Sequence, residues 1–442
     1  MATTTHRNLT LLERFARNVE SIRKHIQRCD NRLSTTKGRN HASQEHICVA
    51  ISGGSDSTAL LALASQYVGP EKVLALTFDH QLRPESSQEA QSVSRFAASL
   101  GIPHHTIQWQ HHKTTGNIQH RAREARYNAI SLFCKANGIK IAMTGHTIDD
   151  QIETYIMRKN HGSSQYGLAC MSATRPLIQD IYLARPLLNI TRTDLRNFLQ
   201  NQNITWSEDP SNQNSFFERV RTRQYLQQLY QQKEYHQVTQ EMITQISRYA
   251  HKRIAIEKHA TNWLSGNANV GDDTISFITN SFLSTDNTLN CENFKALQSE
   301  LLHRMLQHIT CNNKRLTHQQ IDNIIRSIHN HATCSIAHCI IQARQRDTII
   351  KLEQKRHNYV DKTCIYQTHR HQYCLCNNKH LYIPSTINSS LSVSHVSMYT
   401  ENHDVTLPSI HENAAFNPYH IFSTLDDNDS DFAPTNNCDI MR

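Results

Sequence analysis

Ser52-Gly53-Gly54-Ser55-Asp56-Ser57 follows the apolar run Ile47–Ile51 and leads into the apolar stretch Thr58–Leu63. This order reads as strand, glycine turn and helix start. Two glycines there let the backbone approach a phosphate closely, and the unpaired N–H groups and positive dipole end of a helix attract the anion. The hydroxyls of Ser52, Ser55 and Ser57 add donors without bulk. No Gly-Lys-Ser/Thr follows, and no Gly-x-Gly-x-x-Gly is present, so a Walker loop and a dinucleotide fingerprint are both excluded.

A second group lies in Gly145-His146-Thr147-Ile148-Asp149-Asp150-Gln151-Ile152-Glu153-Thr154. Asp149 and Glu153 are four apart and Asp150 and Glu153 three apart, so on a helix their carboxylates converge. Acids in a first helical turn also complement the dipole. That accounts for one or two of them, whereas three suit Mg²⁺ bridging phosphate oxygens or the charged end of an amino acid. Arg123 and Arg126 are three apart in Ala122–Tyr127 and suit phosphate oxygens on which charge develops. Arg219, Arg221 and Arg223 follow Trp206 and a Glu-Asp-Pro-Ser-Asn turn at 208–212, a basic run suited to a nucleic-acid backbone.

These groups need a frame. Strand-like runs at Ile47–Ile51, Val73–Phe78, His105–Trp109, Ile139–Met143 and Ile181–Ala184 alternate with helical stretches at Ser57–Tyr67, Ser86–Leu100, Ile118–Asn137 and Asp149–Lys159. Such alternation predicts a doubly wound parallel sheet, whose ligands bind beyond the carboxyl ends of the strands. Before it, Leu11, Phe15, Val19, Ile22 and Ile26 recur at helical spacing, and a polar linker fills the rest of residues 1–45. After a domain spanning 46–223, a Gln-rich helix over 224–264 and helical patches at 294–309 and 317–328 make a helical domain (224–330). Strand pairs at 340–352 and 373–383 make a small mixed α+β domain (331–423). The acidic tail 424–442 reads as disordered.

With 442 residues, the chain is long enough for more than one domain. A formal charge of +8 favours a polyanionic partner. Twelve cysteines without a small-domain framework suit a reducing compartment. No apolar stretch reaches the roughly 20 residues that span a bilayer, and no secretory signal is evident, so a cytoplasmic protein without membrane contact is expected.

Taken in order, SGGSDS, DHQLRPES, AREARY, GHTIDDQIET, RPLL and EDPSN resemble the motif set of the tRNA(Ile)-lysidine synthetases, within the pyrophosphate-loop ATP pyrophosphatases. The resemblance runs from about His46 to Arg223. It implies that ATP adenylates the C2 oxygen of the wobble cytidine of an isoleucine tRNA with a CAU anticodon, releasing pyrophosphate. The ε-amine of free L-lysine then attacks C2 and AMP leaves. Ser52, Gly53, Gly54, Ser55, Asp56 and Ser57 would bind ATP. Asp56, Arg123, Arg126, His146 and Asp150 would be catalytic, with Asp56 and Asp150 the Mg²⁺ ligands. Asp149, Asp150 and Glu153 would hold lysine or magnesium, and Arg219, Arg221 and Arg223 the tRNA. Val220 and Thr222 depart from the Arg-Asn-Arg-Ile-Arg that the family tends to carry there.

Two alternatives stand beside this one. A tRNA base thiolase activates its base in the same way, but commonly uses a Cys-x-x-Cys pair, and none is present. An RNA-binding relative without catalysis would not need complete SGGSDS and GHTIDDQIET motifs. The acid that meets lysine rather than Mg²⁺, and a homodimer, stay open at this point.

Overall fold

The computed structural model describes residues 9–33, 46–80, 86–109, 118–178, 181–208, 218–232, 235–271, 274–284, 291–310, 315–353 and 398–399. The chain divides into two compact units, one holding residues 1–250 with 385–424 and the other 251–384 with 425–442. The strand pair expected at 373–383, the tail 424–442, residues 81–85 of the DHQLRPES motif and residues 209–212 lie outside the described residues.

In the first unit the chain runs α1 (Leu11–Leu33), β1 (Ile47–Ala50), α2 (Ser55–Val68), β2 (Val73–Asp79), α3 (Ser86–Ser99), β3 (His104–Gln108), α4 (Ile118–Ala136), β4 (Ile141–Thr144) and α5 (Ile148–Asn160). It continues through α6 (Gln165–Leu168), β5 (Thr174–Ile178), β6 (Ile181–Ala184), α7 (Arg192–Asn201) and α8 (Glu218–Tyr230). Helix α9 (Tyr235–Asn267) gives its residues up to Ala250 to this unit and the remainder to the second.

The central strands β3-β2-β1-β4-β6 are parallel, as alternating apolar strands and helices require. The chain lays β1, β2 and β3 outward in one direction, then returns to place β4 on the other side of β1. The point where direction reverses therefore lies between the carboxyl ends of β1 and β4, which is where open α/β sheets bind ligands.

Two edges depart from the all-parallel expectation. β5 pairs antiparallel with β6, and a two-residue strand, β12 (Met398–Tyr399), pairs antiparallel with β3. β5 contains Pro176 and a register shift between Pro176 and Ile178, both tolerated at an edge. The single helix expected over 224–264 is two, because α8 begins at Glu218, α9 begins at Tyr235, and neither glycine nor proline marks the break.

The core over one sheet face joins Ile47, Val49, Leu60, Leu61, Leu63 and Ile141 to Phe15, Val19, Ile22 and Ile26 of α1. The leading helix is thus part of the sheet's own packing. Against the other face, Ile130, Phe133 and Tyr127 of α4 meet Cys48, Leu74 and Ile107.

The second unit contains β7 (Ala268–Val270), β8 (Thr274–Ile278), α10 (Thr279–Leu283), α11 (Cys291–Thr310), α12 (His318–His329), β9 (Thr333–Ile336), β10 (Cys339–Ala343) and β11 (Asp347–Leu352). Its sheet, in the order β7-β8-β11-β10-β9, is antiparallel throughout. Leu301, Leu302 and Met305 of α11 and Ile324 and Ile328 of α12 cover it. Glu300 is buried there, held by Arg304 Nε at 2.7 Å and Arg315 Nη2 at 2.8 Å.

Because Phe15 is fully enclosed between α1 and the sheet core, Phe15→Ala should destabilise the first unit by about 3–5 kcal/mol. Denaturant unfolding followed by tryptophan fluorescence measures this, and a change under 1 kcal/mol would make α1 a peripheral helix.

Candidate active site

β1 delivers the chain to Gly53, whose φ of +86° suits glycine, and Gly54, at the N-cap of α2, brings no capping side chain. The donors of its first turn therefore have no capping side chain to receive them. The serines build the turn itself. Ser57 Oγ donates to the Gly54 carbonyl at 3.0 Å and accepts from the Ser52 N–H at 3.2 Å, while Ser55 Oγ donates to Asp56 Oδ1 at 3.0 Å. A Cβ at Gly54 would come no nearer than 3.9 Å to other protein atoms, so the space over that residue is open. Beside Gly53 lies a cavity of about 420 Å³ with Ile51, Val93, Phe96 and Trp206 in its walls.

β4 delivers Gly145 and His146 to the adjoining position. Gly145 is packed so tightly that a Cβ would meet the backbone C and O of Asp56 at 2.9 Å and the Ser57 nitrogen at 3.0 Å. The two motifs are thus in backbone contact. Thr147 caps α5 and forms a reciprocal box with Asp150, whose Oδ2 accepts from the Thr147 N–H at 2.8 Å.

The acidic cluster does assemble, but around guanidinium groups. Arg192, in the first turn of α7, reaches Asp56 Oδ2 with Nε at 3.0 Å, Asp150 Oδ1 with Nη2 at 3.3 Å and Glu153 Oε1 with Nη1 at 3.5 Å. Its backbone N–H also donates to Asp149 Oδ2 at 2.8 Å. From α8, Arg219 Nη2 lies 2.7 Å from Asp150 and its Nε 2.6 Å from Glu153, while Arg223 Nε is 2.7 Å from Glu153.

Three placements bear on the sequence reading. Arg219 and Arg223 face carboxylates instead of being presented as a basic strip, while Arg221, on another side of α8, is exposed. Being four apart, the first two share a helix face. Val220 and Thr222 are buried, which suits the apolar or small residues found there. Asp56 and Asp150 do not fit a magnesium ion between them, since a guanidinium bridges them and Asp150 Oδ2 is committed to Thr147. Among the described residues no group of three or more His, Cys, Asp or Glu is arranged to hold a metal.

Arg192 escaped the sequence reading. Its one signal is position, since a cation in a first helical turn opposes the dipole and needs a carboxylate to hold it.

The electrostatics are uneven. Burial would raise Asp150, but the guanidiniums of Arg219 and Arg192 outweigh it and hold the carboxyl below its ordinary value. At Asp56 burial prevails over Arg192 and the carboxyl is raised. Burial and then Arg185 lower His146 to about 3, so the imidazole stays neutral, with Nδ1 2.9 Å from Thr144 Oγ1. Arg123 is exposed and Arg126 half-buried, each with its guanidinium over the Tyr127 ring.

Residues 20–230 match the model of the PP-loop domain. The matched part is just under half of the chain. The PP-loop domain is 43% identical over 180 residues to a tRNA(Ile)-lysidine synthase of Ruegeria pomeroyi, covering 40% of this chain and 43% of the relative. A tRNA(Ile)-lysidine synthase of Hyphomonas neptunium is also 43% identical, over 41% of this chain and 50% of its own length. The chain thus spans half or less of either relative. Among solved structures, a U34-tRNA thiolase of Methanococcus maripaludis with its [4Fe-4S] cluster aligns at a TM-score of 0.40 and 14% identity, over 51% of this chain and 78% of that one. No helix among the described residues is long and apolar enough to cross a membrane.

Asp150 serves α5 as well as the charge cluster, so its loss costs stability, contrary to a purely cation-binding role. Its depressed titration means that its ionic contribution is complete above the ordinary 3.8 and disappears as pH falls through the lower folded value. Asp150→Asn should lower unfolding free energy at pH 7 by about 3 kcal/mol, the order found when one partner of a buried pair is removed. In denaturation curves the deficit should shrink as the pH is taken below 3.8. A deficit that stays constant down to pH 2 would remove the ionic account.

Proposed function

We propose that the chain uses ATP to attach free L-lysine to C2 of the wobble cytidine in the CAU anticodon of an isoleucine tRNA. The observation that carries this reading is the contact between the phosphate loop and Gly145-His146 at the point where strand order reverses, within a domain that is 43% identical to tRNA(Ile)-lysidine synthases.

In this reading the uncapped start of α2 receives the phosphates of ATP, and the cavity walled by Ile51, Val93, Phe96 and Trp206 takes the adenine ring. The C2 oxygen attacks the α-phosphorus, an O–P bond forms, and pyrophosphate leaves with the electrons of the broken P–O bond. Arg123, exposed beside the site, meets the charge that grows on the α-phosphate, with Arg126 behind it. The lysine ε-amine then forms the C2–N bond, the C2–O bond breaks, AMP departs and the amine loses a proton.

The carboxylates hold nitrogen cations, which is the chemistry that an ammonium group needs. Among the described residues, Asp149 is engaged by Arg192 through the backbone N–H only, so it is the carboxylate that we assign to the lysine ammonium. Asp56, Asp150 and Glu153 shape that pocket through Arg192 and Arg219. His146 is too weak a base near pH 7 to take the proton and contributes a polar contact to the activated base.

The test is incorporation of labelled lysine into isoleucine tRNA bearing CAU, which should require ATP. Gly54→Val should reduce ATP binding at least a hundredfold with little change in melting, because the added side chain enters the space over the loop and not the protein. Incorporation without ATP, or ordinary ATP affinity in that variant, would end the assignment.

A further inference from the structure

Tyr127 is ringed by arginines. The guanidinium carbons of Arg123, Arg126 and Arg175 lie 5.1, 5.5 and 4.5 Å from its ring centroid, and Arg185 acts on the same phenol. Arg185 is 3% exposed and donates Nη1 to the Ser172 carbonyl at 2.7 Å. Among the described residues, none of the four has a carboxylate partner. Arg126 and Arg185 approach the phenol, yet no well-formed hydrogen bond reaches Tyr127 Oη or Arg185 Nε, both of which are buried.

Clustered guanidiniums repel one another, and burial adds a desolvation cost that stacking on one shared ring does not offset. Burial, with Arg175 and Arg123 nearby, lowers Arg185 to about 10. Uncompensated cations beside two unsatisfied buried polar atoms are the arrangement of an anion site. Its members come from α4, the edge strand β5 and the exit of β6, and two of them, Arg185 and Arg123, also act on His146.

In the proposed reaction the nucleotide's phosphates are served by the start of α2 and by Arg123, which leaves Arg175, Arg185 and the Tyr127 hydroxyl without a part in that chemistry. We propose that these three groups hold a phosphodiester of the RNA strand close to the base that reacts. The inference rests on the RNA-modifying function above. A guanidinium fork matches phosphate oxygens bidentately, and contacts of this kind fix the register of the strand without reading its sequence.

Arg175 is half-buried on an edge strand, so Arg175→Gln spares the core. The probe is a stem-loop RNA with a CAU loop, titrated by fluorescence anisotropy across a salt series, with ATP binding measured by calorimetry in parallel. Arg175→Gln should weaken RNA binding about five- to tenfold and reduce the slope of log K against log salt by about 0.7–0.9, with ATP affinity unchanged. Arg175→Lys should recover the slope. Tyr127→Phe, which keeps the packed ring, should weaken RNA binding about two- to fivefold with the slope intact. Unchanged RNA binding in Arg175→Gln and Tyr127→Phe overturns the proposal, as does loss of ATP affinity with RNA binding intact, which would hand the site to the nucleotide. A wild-type chain that binds the stem-loop but forms no lysidine would defeat the function and leave this site standing, whereas one that binds no RNA defeats the site.

Discussion

Asp150, buried at the start of α5, keeps its charge because guanidiniums come to it from α7 and α8, and the buried Glu153 beside it meets the same groups. A carboxylate pair enclosed without such partners would take up protons or open to water. The two helices that supply the cations are therefore tied to the end of β4, and through Asp56 and Arg192 the phosphate loop is tied as well. Loop, helix start and both arginine-bearing helices form one body linked by these ion pairs.

That body also sorts two kinds of chemistry at one sheet end. The carboxylates gather nitrogen cations, whereas the region around Tyr127 gathers guanidiniums that have no carboxylate partner among the described residues, the setting of the proposed phosphate contact. His146 is acted on by Asp150 of the first and by Arg185 of the second. The reaction proposed above brings a cationic amine and an anionic leaving group to one carbon, and for it such opposite fields side by side suit both reactants, where a uniformly charged pocket would repel one.

Much of this was legible in the residues. Strands β1, β2, β4 and β6 come within two residues of their expected bounds because parallel strands covered on both faces read as continuous apolar runs. The glycine turn and the Gly-His motif fall where that pattern puts them. β5 escaped because Pro176 masks a strand, and the break between α8 and α9 because no residue punctuates it. Arg192 was invisible for a different reason. Its partners lie at 56, 149, 150 and 153, and no local pattern links an isolated arginine to carboxylates so distant in the chain. Arg219 and Arg223 were visible as a pair, but whether two arginines on a helix face solvent, phosphate or carboxylate depends on what the fold sets opposite them.

The edge strand has a further consequence for assembly. An open sheet presents unpaired backbone donors and acceptors at its margin, which invite a strand from another molecule. β5 carries a proline, which has no N–H to give, a register shift that breaks the regular spacing, and an arginine. A neighbouring copy would find no continuous ladder there to extend. That margin of the sheet offers little to strand-by-strand growth by another copy.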